Sequence, residues 1–391
     1  MVEFQSRHRA VFADARALAD EPPASAALVL TSPPYPMVAL WDDLFAALDP
    51  GVAAALRDED GDLAFDRMHR ALAPIWAAAH RALVPGGILA LNIGDATRSM
   101  GGRFRLWPNH ARLLTDLAAL GFDVLPDILW RKPNNSPTKF MGSGTLPAGA
   151  YVTYEHEYVL VLRKGANRPF RGADAERRRR SAVFWEERNL WFSDLWTDLR
   201  GRDQDLGAGA ERARSAAFPF ELAWRLVLMF SVEGDLVIDP FLGTGTTMAA
   251  ALAAGRSSLG FERDSGLAGS VRATLAAAGG IGVERARRRL EEHRAFVARR
   301  QAEGRPPAHH NVPHDVPVMT RQERELRLTE PGASREDAGV LSVDHVRLGA
   351  SSGGAESASG VERGFVVVGS DVEDEPLGVD ARPHDVRGGR E

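Results

Sequence analysis

The residues Thr31-Ser32-Pro33-Pro34-Tyr35 end an apolar run, AALVLTS (26–32), with two prolines and a phenol. Proline lacks an amide donor and fixes its own φ, so the chain cannot continue there as a central strand. Its carbonyl is instead held rigidly beside a hydroxyl. Taken alone, the stretch is better explained by a rigid turn with a tyrosine packed beneath it. A second stretch, DLVIDPFLGTGTTM (235–248), runs from an apolar strand into Asp239-Pro240-Phe241, then Gly243 and Gly245, then a helix of small residues. Glycines at such a turn let the backbone approach a ligand closely, and the helix start offers free N–H groups. Glu262 closes the next apolar run about 20 residues on, where nucleotide-binding βαβ units hold ribose hydroxyls. An ordinary tight βα turn remains the alternative for this loop.

The loop chemistry narrows the ligand. No lysine follows the glycines, which excludes a phosphate-binding P-loop, and GTGTTM lacks the third glycine of a dinucleotide fingerprint. Asp239 at the strand end would repel a pyrophosphate and attract an ammonium group. A cationic adenosyl ligand with an amino-acid tail fits better than an anionic one. The 391-residue chain carries a net charge of −5 and no cysteine. Disulfides, thiolate metal sites and thiol nucleophiles are thereby excluded. With no net basic balance, any nucleic-acid surface must be local. The start MVEFQSRHRAVFADARAL has no apolar core of signal-peptide length, so a cytoplasmic location is expected.

To position these residues, apolar runs alternate with helical patterns, predicting an α/β fold with a mostly parallel sheet. Strands are expected at 26–32, 87–95, 123–131, 151–164, 235–241 and 257–264. Helices are expected at 64–83, 107–120, 217–231, 246–254 and 265–278, followed by a charged helix from 283. From 331 onward, Gly, Ser, Asp and Arg without sustained periodicity predict a mostly disordered tail.

TSPPY (31–35), LVPGGILALNIGD (83–95), ILWRKPNNSP (128–137), YEHEYVLVLRKG (154–165) and FPFELAWRLVLMFSVEGDLVIDPFLGTGTT (218–247) occur in that order. This series resembles the permuted DNA amino-methyltransferases, whose catalytic half precedes the cofactor half, over roughly residues 8–290. The resemblance implies a Rossmann-like seven-stranded methyltransferase fold, circularly permuted, with helices on both faces. It implies S-adenosyl-L-methionine as cofactor, cradled by Phe241, Gly243, Gly245 and Thr246. Asp239 would lie near its amino-acid end, Phe218 would wall the methionine, Glu262 would accept from the ribose and Asp14 from the adenine amino group.

The same resemblance gives the first motif its chemistry. An exocyclic base nitrogen is a poor nucleophile, because its lone pair is delocalised into the ring. Acceptance of both its protons, by the Ser32 hydroxyl and the Pro33 carbonyl, would favour a tetrahedral nitrogen aimed at the donor methyl. Pro34 stiffens the motif, and Tyr35 would stack on a flipped base. Serine at the first motif position points to N4 of cytosine. N6-adenine or structured RNA is the alternative within enzymes, and a non-catalytic DNA-binding specificity protein the alternative outside them. Without cysteine, attack on cytosine carbon 5 is excluded.

On this reading the chain divides into a catalytic half (1–164), a target-recognition region (165–215), a cofactor half (216–300), a docking segment (301–330) and the tail (331–391). Duplex DNA is the expected partner, with a cognate restriction endonuclease as a second. Arg177, Arg178, Arg179 and Arg180, interleaved with tryptophans, are candidate phosphate contacts. The loop 97–110, with Arg98, Arg103 and Arg105, is a second candidate. No metal is expected: on a strand His156 faces away from Glu155 and Glu157. Asn134 and Asn135 are read as turn formers.

Overall fold

The computed structural model describes residues 1–132, 148–149, 152, 154–199 and 218–349. Asn134, Asn135, residues 200–215 and the tail beyond 349 lie outside the described residues. The chain opens with strand β1 (Val2–Phe12), a 3-10 turn capped by Asp14, and β2 (Ala26–Thr31). All six residues of β2 are buried, as expected of an apolar strand with parallel neighbours on both sides. Helices α1 (Asp42–Leu48) and α2 (Pro50–Arg57) follow, the latter started by Asp49 as N-cap with proline at its first position. Helix α3 (Gly61–Ala82) is capped by Asp60, whose carboxylate accepts from the Leu63 amide.

Next come β3 (Leu83–Ile93) and a two-stranded hairpin, β4 (Ala96–Met100) and β5 (Arg103–Trp107). Helix α4 (Asn109–Leu120) stops at Gly121, which adopts the left-handed conformation with φ 106°. The expected strand 123–131 is broken around Pro126 into β6 (Asp123–Val124) and β7 (Ile128–Arg131). Strand β8 (His156–Arg163), helices α5 (Ala173–Arg180) and α6 (Trp185–Trp191) and the short β9 (Leu195–Trp196) precede α7 (Phe220–Phe230). Then come β10 (Leu236–Asp239), α8 (Thr246–Ala253), β11 (Ser257–Glu262) and α9 (Ala268–Ala302). The two helices expected after 265 are one continuous helix of 35 residues. A small hairpin, β12 (His309–Asn311) and β13 (Val316–Val318), leads to β14 (Thr329–Asp337) and β15 (Val340–Arg347).

The main sheet runs β14-β15-β1-β11-β10-β2-β3-β8-β7-β9, with β6 also on β8. Its centre, β1-β11-β10-β2-β3, is parallel. β8 returns antiparallel beside β3, and the β14–β15 hairpin is antiparallel to β1. One face packs on α7, α8 and α9, the other on α1 to α4. The fold is thus the expected α/β sheet with helices on both faces, but the described sheet has eleven strands, not seven.

Two expectations fail at the chain ends. The sequence reading places no strand at 2–12, where β1 forms, and residues 331–347 are ordered, so a boundary at 330 would cut through β14. Within β15, Leu341, Val343 and His345 point inward in strict alternation. Burying the Leu341 and Val343 side chains contributes about 1.5–3 kcal/mol each, which helps hold β15 between β14 and β1. The segment 309–328 also packs inward, with Val316, Val318, Leu326 and Leu328 around Phe184.

Candidate active site

The five parallel strands deliver their carboxyl ends to one edge of the sheet, where the order reverses between β10 and β2. Open α/β sheets bind ligands at such a crevice. Here it is a cavity of about 650 Å³ lined by Asp14, Ser32, Pro33, Pro34, Phe218, Asp239, Phe241, Gly243, Thr246 and Glu262. Residues from 14 to 262 are therefore brought together by topology. Trp41, Leu44, Leu72 and Ile75, from the α1–α3 side, add an apolar wall that sequence reasoning did not single out. Trp76 stands edge-on to Phe241, with ring centroids 6.0 Å apart, and so fixes that ring from behind.

Asp239 organises the loop. Its Oδ1 accepts from Thr31 Oγ1 at 2.6 Å and from the Phe241 amide at 3.0 Å, and its Oδ2 accepts from Thr247 Oγ1 at 2.6 Å. One carboxylate thus ties the end of β2 to the start of α8, joining the two motifs. Burial raises its pKa to about 6 despite these donors. Glu262 holds the other side: Oε2 accepts from the Gly243 amide at 2.8 Å and Oε1 from the Asp264 amide at 2.8 Å. Burial shifts its pKa upward too. Asp14 caps its 3-10 turn and pairs with Arg16 Nε at 2.8 Å. Burial acts to raise its pKa, but the hydrogen bonds and charge of Arg16 outweigh this and hold it down.

Gly243 has φ 55°, and a Cβ there would meet nothing within 4 Å. The loop can therefore be approached closely at that point. Gly245, expected to touch a cofactor, does not line the cavity. It starts α8 in the left-handed conformation, and a Cβ on it would lie 3.6 Å from Val271 and Thr274 of α9. Between the glycines, Thr244 keeps a buried hydroxyl with no partner among the described residues.

Tyr35 differs from expectation. It is buried, does not line the cavity, and offers its hydroxyl to a polar network. Its Oη lies 3.0 Å from Ser32 Oγ, 2.9 Å from Asn92 Nδ2 and 3.1 Å from Glu157 Oε2. Asn92 also donates to Glu157 at 2.7 Å, and Lys132 Nζ pairs with the same carboxylate at 2.5 Å. Burial and the Glu157 charge push the Tyr35 pKa well up, keeping the phenol protonated. Asn92, Lys132 and Glu157 were not foreseen. For Glu157 a signal lay in the strand alternation that separates it from His156; Asn92 and Lys132 carried none.

The arginine quartet is not part of this site. Helix α7 leads from Phe218 at the cavity to Val232 at the far end of the sheet, an 11-residue helix of about 16 Å. Helix α5 sits at that far end. Arg177 reaches Asp174 and Asp235, Arg179 pairs with Glu325 at 2.8 Å, Arg180 pairs with Glu233 at 2.5 Å, and Arg178 covers the Phe170 ring. Carboxylates thus hold Arg177, Arg179 and Arg180, while Arg178 is exposed beside the Phe170 ring. In the 97–110 stretch, Arg98 is bidentate on Asp42 and Arg105 pairs with Asp62. Among the described residues no cluster of three or more metal-ligating side chains occurs.

A family model described as DNA methylase, of the N6 and N4 methyltransferases, matches residues 26–270. This chain belongs to that family. It is similar to the type II methyltransferase M.MthZI of Methanothermobacter thermautotrophicus, with 46% identity over 84% of this chain and 91% of the relative. M.MjaI of Methanocaldococcus jannaschii is 43% identical over 68% of this chain and 90% of its own. Among solved structures, a DNA modification methylase of Thermus thermophilus, TTHA0409, complexed with S-adenosyl-L-methionine, superposes with a TM-score of 0.54. It is 34% identical, over 69% of this chain and 95% of that one. The methylase match spans both motifs that line the cavity, TSPPY and the glycine loop.

Proposed function

We propose that this DNA methylase transfers a methyl group from S-adenosyl-L-methionine to the N4 amino group of cytosine in duplex DNA, as a permuted member of its family. The observation that carries this reading is the single cavity holding both Ser32-Pro33-Pro34 and the glycine loop. The residues present fit the cofactor. The apolar wall of Trp41, Leu44 and Ile75 suits a flat adenine, and Asp14 and Glu262 offer acceptors to amino and hydroxyl groups. Thr244 has a buried hydroxyl without a partner among the described residues, and the carboxylates favour a cationic ligand. When bound, the cofactor supplies a methyl group on a sulfonium, already activated for displacement.

The chain's own residues orient the nucleophile. Pro33 and Pro34 are buried, fixing the carbonyl of Pro33, and Ser32 stands half-exposed at the cavity. Two acceptors on the amino group draw its hydrogens out of conjugation and free the lone pair for in-line attack. As the N–C bond forms the methyl–sulfur bond would break, its electron pair staying on sulfur, and the nitrogen sheds one proton to solvent. Proximity within one cavity contributes much of the acceleration. The family resemblance, with serine (Ser32) at the first motif position, favours cytosine N4 as target, and the type II names of M.MthZI and M.MjaI support a place beside a cognate restriction endonuclease.

The test is product analysis. Duplex DNA incubated with purified protein and labelled S-adenosyl-L-methionine is digested to nucleosides and examined by mass spectrometry. N4-methyldeoxycytidine is expected. N6-methyldeoxyadenosine would overturn the base assignment, and incorporation into RNA alone would overturn the substrate.

A further inference from the structure

The hydroxyl of Ser32 has one proton, and where that proton points decides whether the group accepts from a substrate or competes with it. The network behind it fixes the answer by elimination. Glu157 is an acceptor only, so the Asn92 atom 2.7 Å from it is the amide nitrogen. The Tyr35 oxygen lies 3.1 Å from Glu157 Oε2; without a hydrogen between them, two lone-pair-bearing oxygens would repel. The single Tyr35 proton is therefore committed to Glu157. Asn92 Nδ2, at 2.9 Å, fills one lone pair of the Tyr35 oxygen. The remaining lone pair faces Ser32 Oγ at 3.0 Å, and only the Ser32 proton is left to occupy that contact.

We propose that Tyr35, Asn92 and Glu157 are positioning residues that hold the Ser32 proton away from the cavity, so that Ser32 meets the base amino group as an acceptor. Lys132 Nζ, 2.5 Å from Glu157 Oε1, is a donor-only partner on the far oxygen of that carboxylate, so the chain of hydrogen bonds is anchored at an acceptor. The arrangement also explains why the phenol is buried: its role is carried by the hydroxyl at one end and not by an exposed ring face. Burial beside Glu157 raises the Tyr35 pKa, which keeps the phenolic proton in place. This inference rests on the reading of Ser32 as an acceptor for the target amino group.

A double-mutant cycle on the full chain tests it. Tyr35→Phe keeps the ring, and the Asn92–Glu157 hydrogen bond remains, but Ser32 loses its acceptor. Single-turnover methyl transfer should fall about tenfold, the size of one well-placed hydrogen bond, with cofactor and DNA affinities unchanged. In a Ser32→Ala background the same substitution should change the rate less than about twofold, because no hydroxyl remains to orient. Glu157→Gln, which can present an N–H to Tyr35 and reverse the chain, should slow transfer and be masked by Ser32→Ala in the same way. Additive losses, or lowered affinity matching the lost rate, would show a packing role and overturn the proposal. So would wild-type rates in both single variants. A wild-type protein that methylates DNA while the cycle is additive sinks this inference alone. Absence of any methyl transfer by the wild type would sink the functional reading, and this inference with it.

Discussion

Asp239 is a carboxylate doing two jobs with opposite electrostatic demands. It ties Thr31 to Thr247 by hydrogen bonds, and its burial works against the charge that such bonds favour. Its folded pKa of about 6 stands above the usual 3.8. Between those values the folded chain keeps a proton that the unfolded chain has released, so stability from this group falls as pH rises through the window. Asp239→Asn removes that slope. Relative to wild type, the variant should gain on the order of 3 kcal/mol between about pH 4 and pH 7, read from urea unfolding midpoints at each pH. A constant difference across the series would mean that the carboxyl titrates as if exposed. The role of Asp239 was legible in the sequence as an acid at a strand end. Its bonds to Thr31 and Thr247 were not, because those residues are 208 and 8 positions away and only folding makes them neighbours.

At the scale of elements, the loop between β10 and α8 is held open by Glu262, whose carboxylate grips the Gly243 amide. Gly243→Val places a branched side chain in the cavity at φ 55°, a conformation it resists. Glu262→Ala releases the loop and removes an acceptor. Each variant should bind S-adenosyl-L-methionine at least about tenfold more weakly in calorimetric titration while remaining folded; unchanged affinity in both would remove the loop from the cofactor site. The strands and helices around this loop were readable because their apolar periods are long and end in glycine or proline. The C-terminal hairpin was not, since β14, TEPGASRED, reads as a loop. One clue lay elsewhere in the chain: at Gly282 of α9 a Cβ would come within 2.7 Å of Pro331 and 3.0 Å of the Ala253 backbone. Gly282 thus lets α9 approach the segment whose composition reads as a tail, whereas a Cβ at Gly279 or Gly280 of the same helix would meet nothing within 4 Å.

On the scale of the whole molecule, β15 covers an edge of β1 that would otherwise present unpaired backbone and the buried Ser6 and His8. A chain ended at residue 349 should unfold at the same temperature as the full chain and methylate DNA at the same rate. One ended at 328 should lose its cooperative thermal transition and its activity together. A stable, active chain ending there would show that the hairpin is ornamental. The arginines of α5 belong to this scale as well. Through Asp235, Glu233 and Glu325 they lock the far end of the sheet to the 309–328 segment, a structural role that a linear reading of RRRR cannot distinguish from a phosphate contact.

Strand β1 is synthesised first and finds its neighbours last. His8 hydrogen-bonds Ser258, 250 residues downstream, and Ser6 bonds His345, 339 downstream. At about 5–20 residues per second, a ribosome needs roughly 12–50 s to produce the first of these partners. For most of that interval the nascent chain carries Ser32 and its prolines without Asp239, and Glu262 follows only after Ser258. Catalytic competence therefore arrives late and all at once, and a cell beginning to make this enzyme has a delay, set by translation, before its first base is marked.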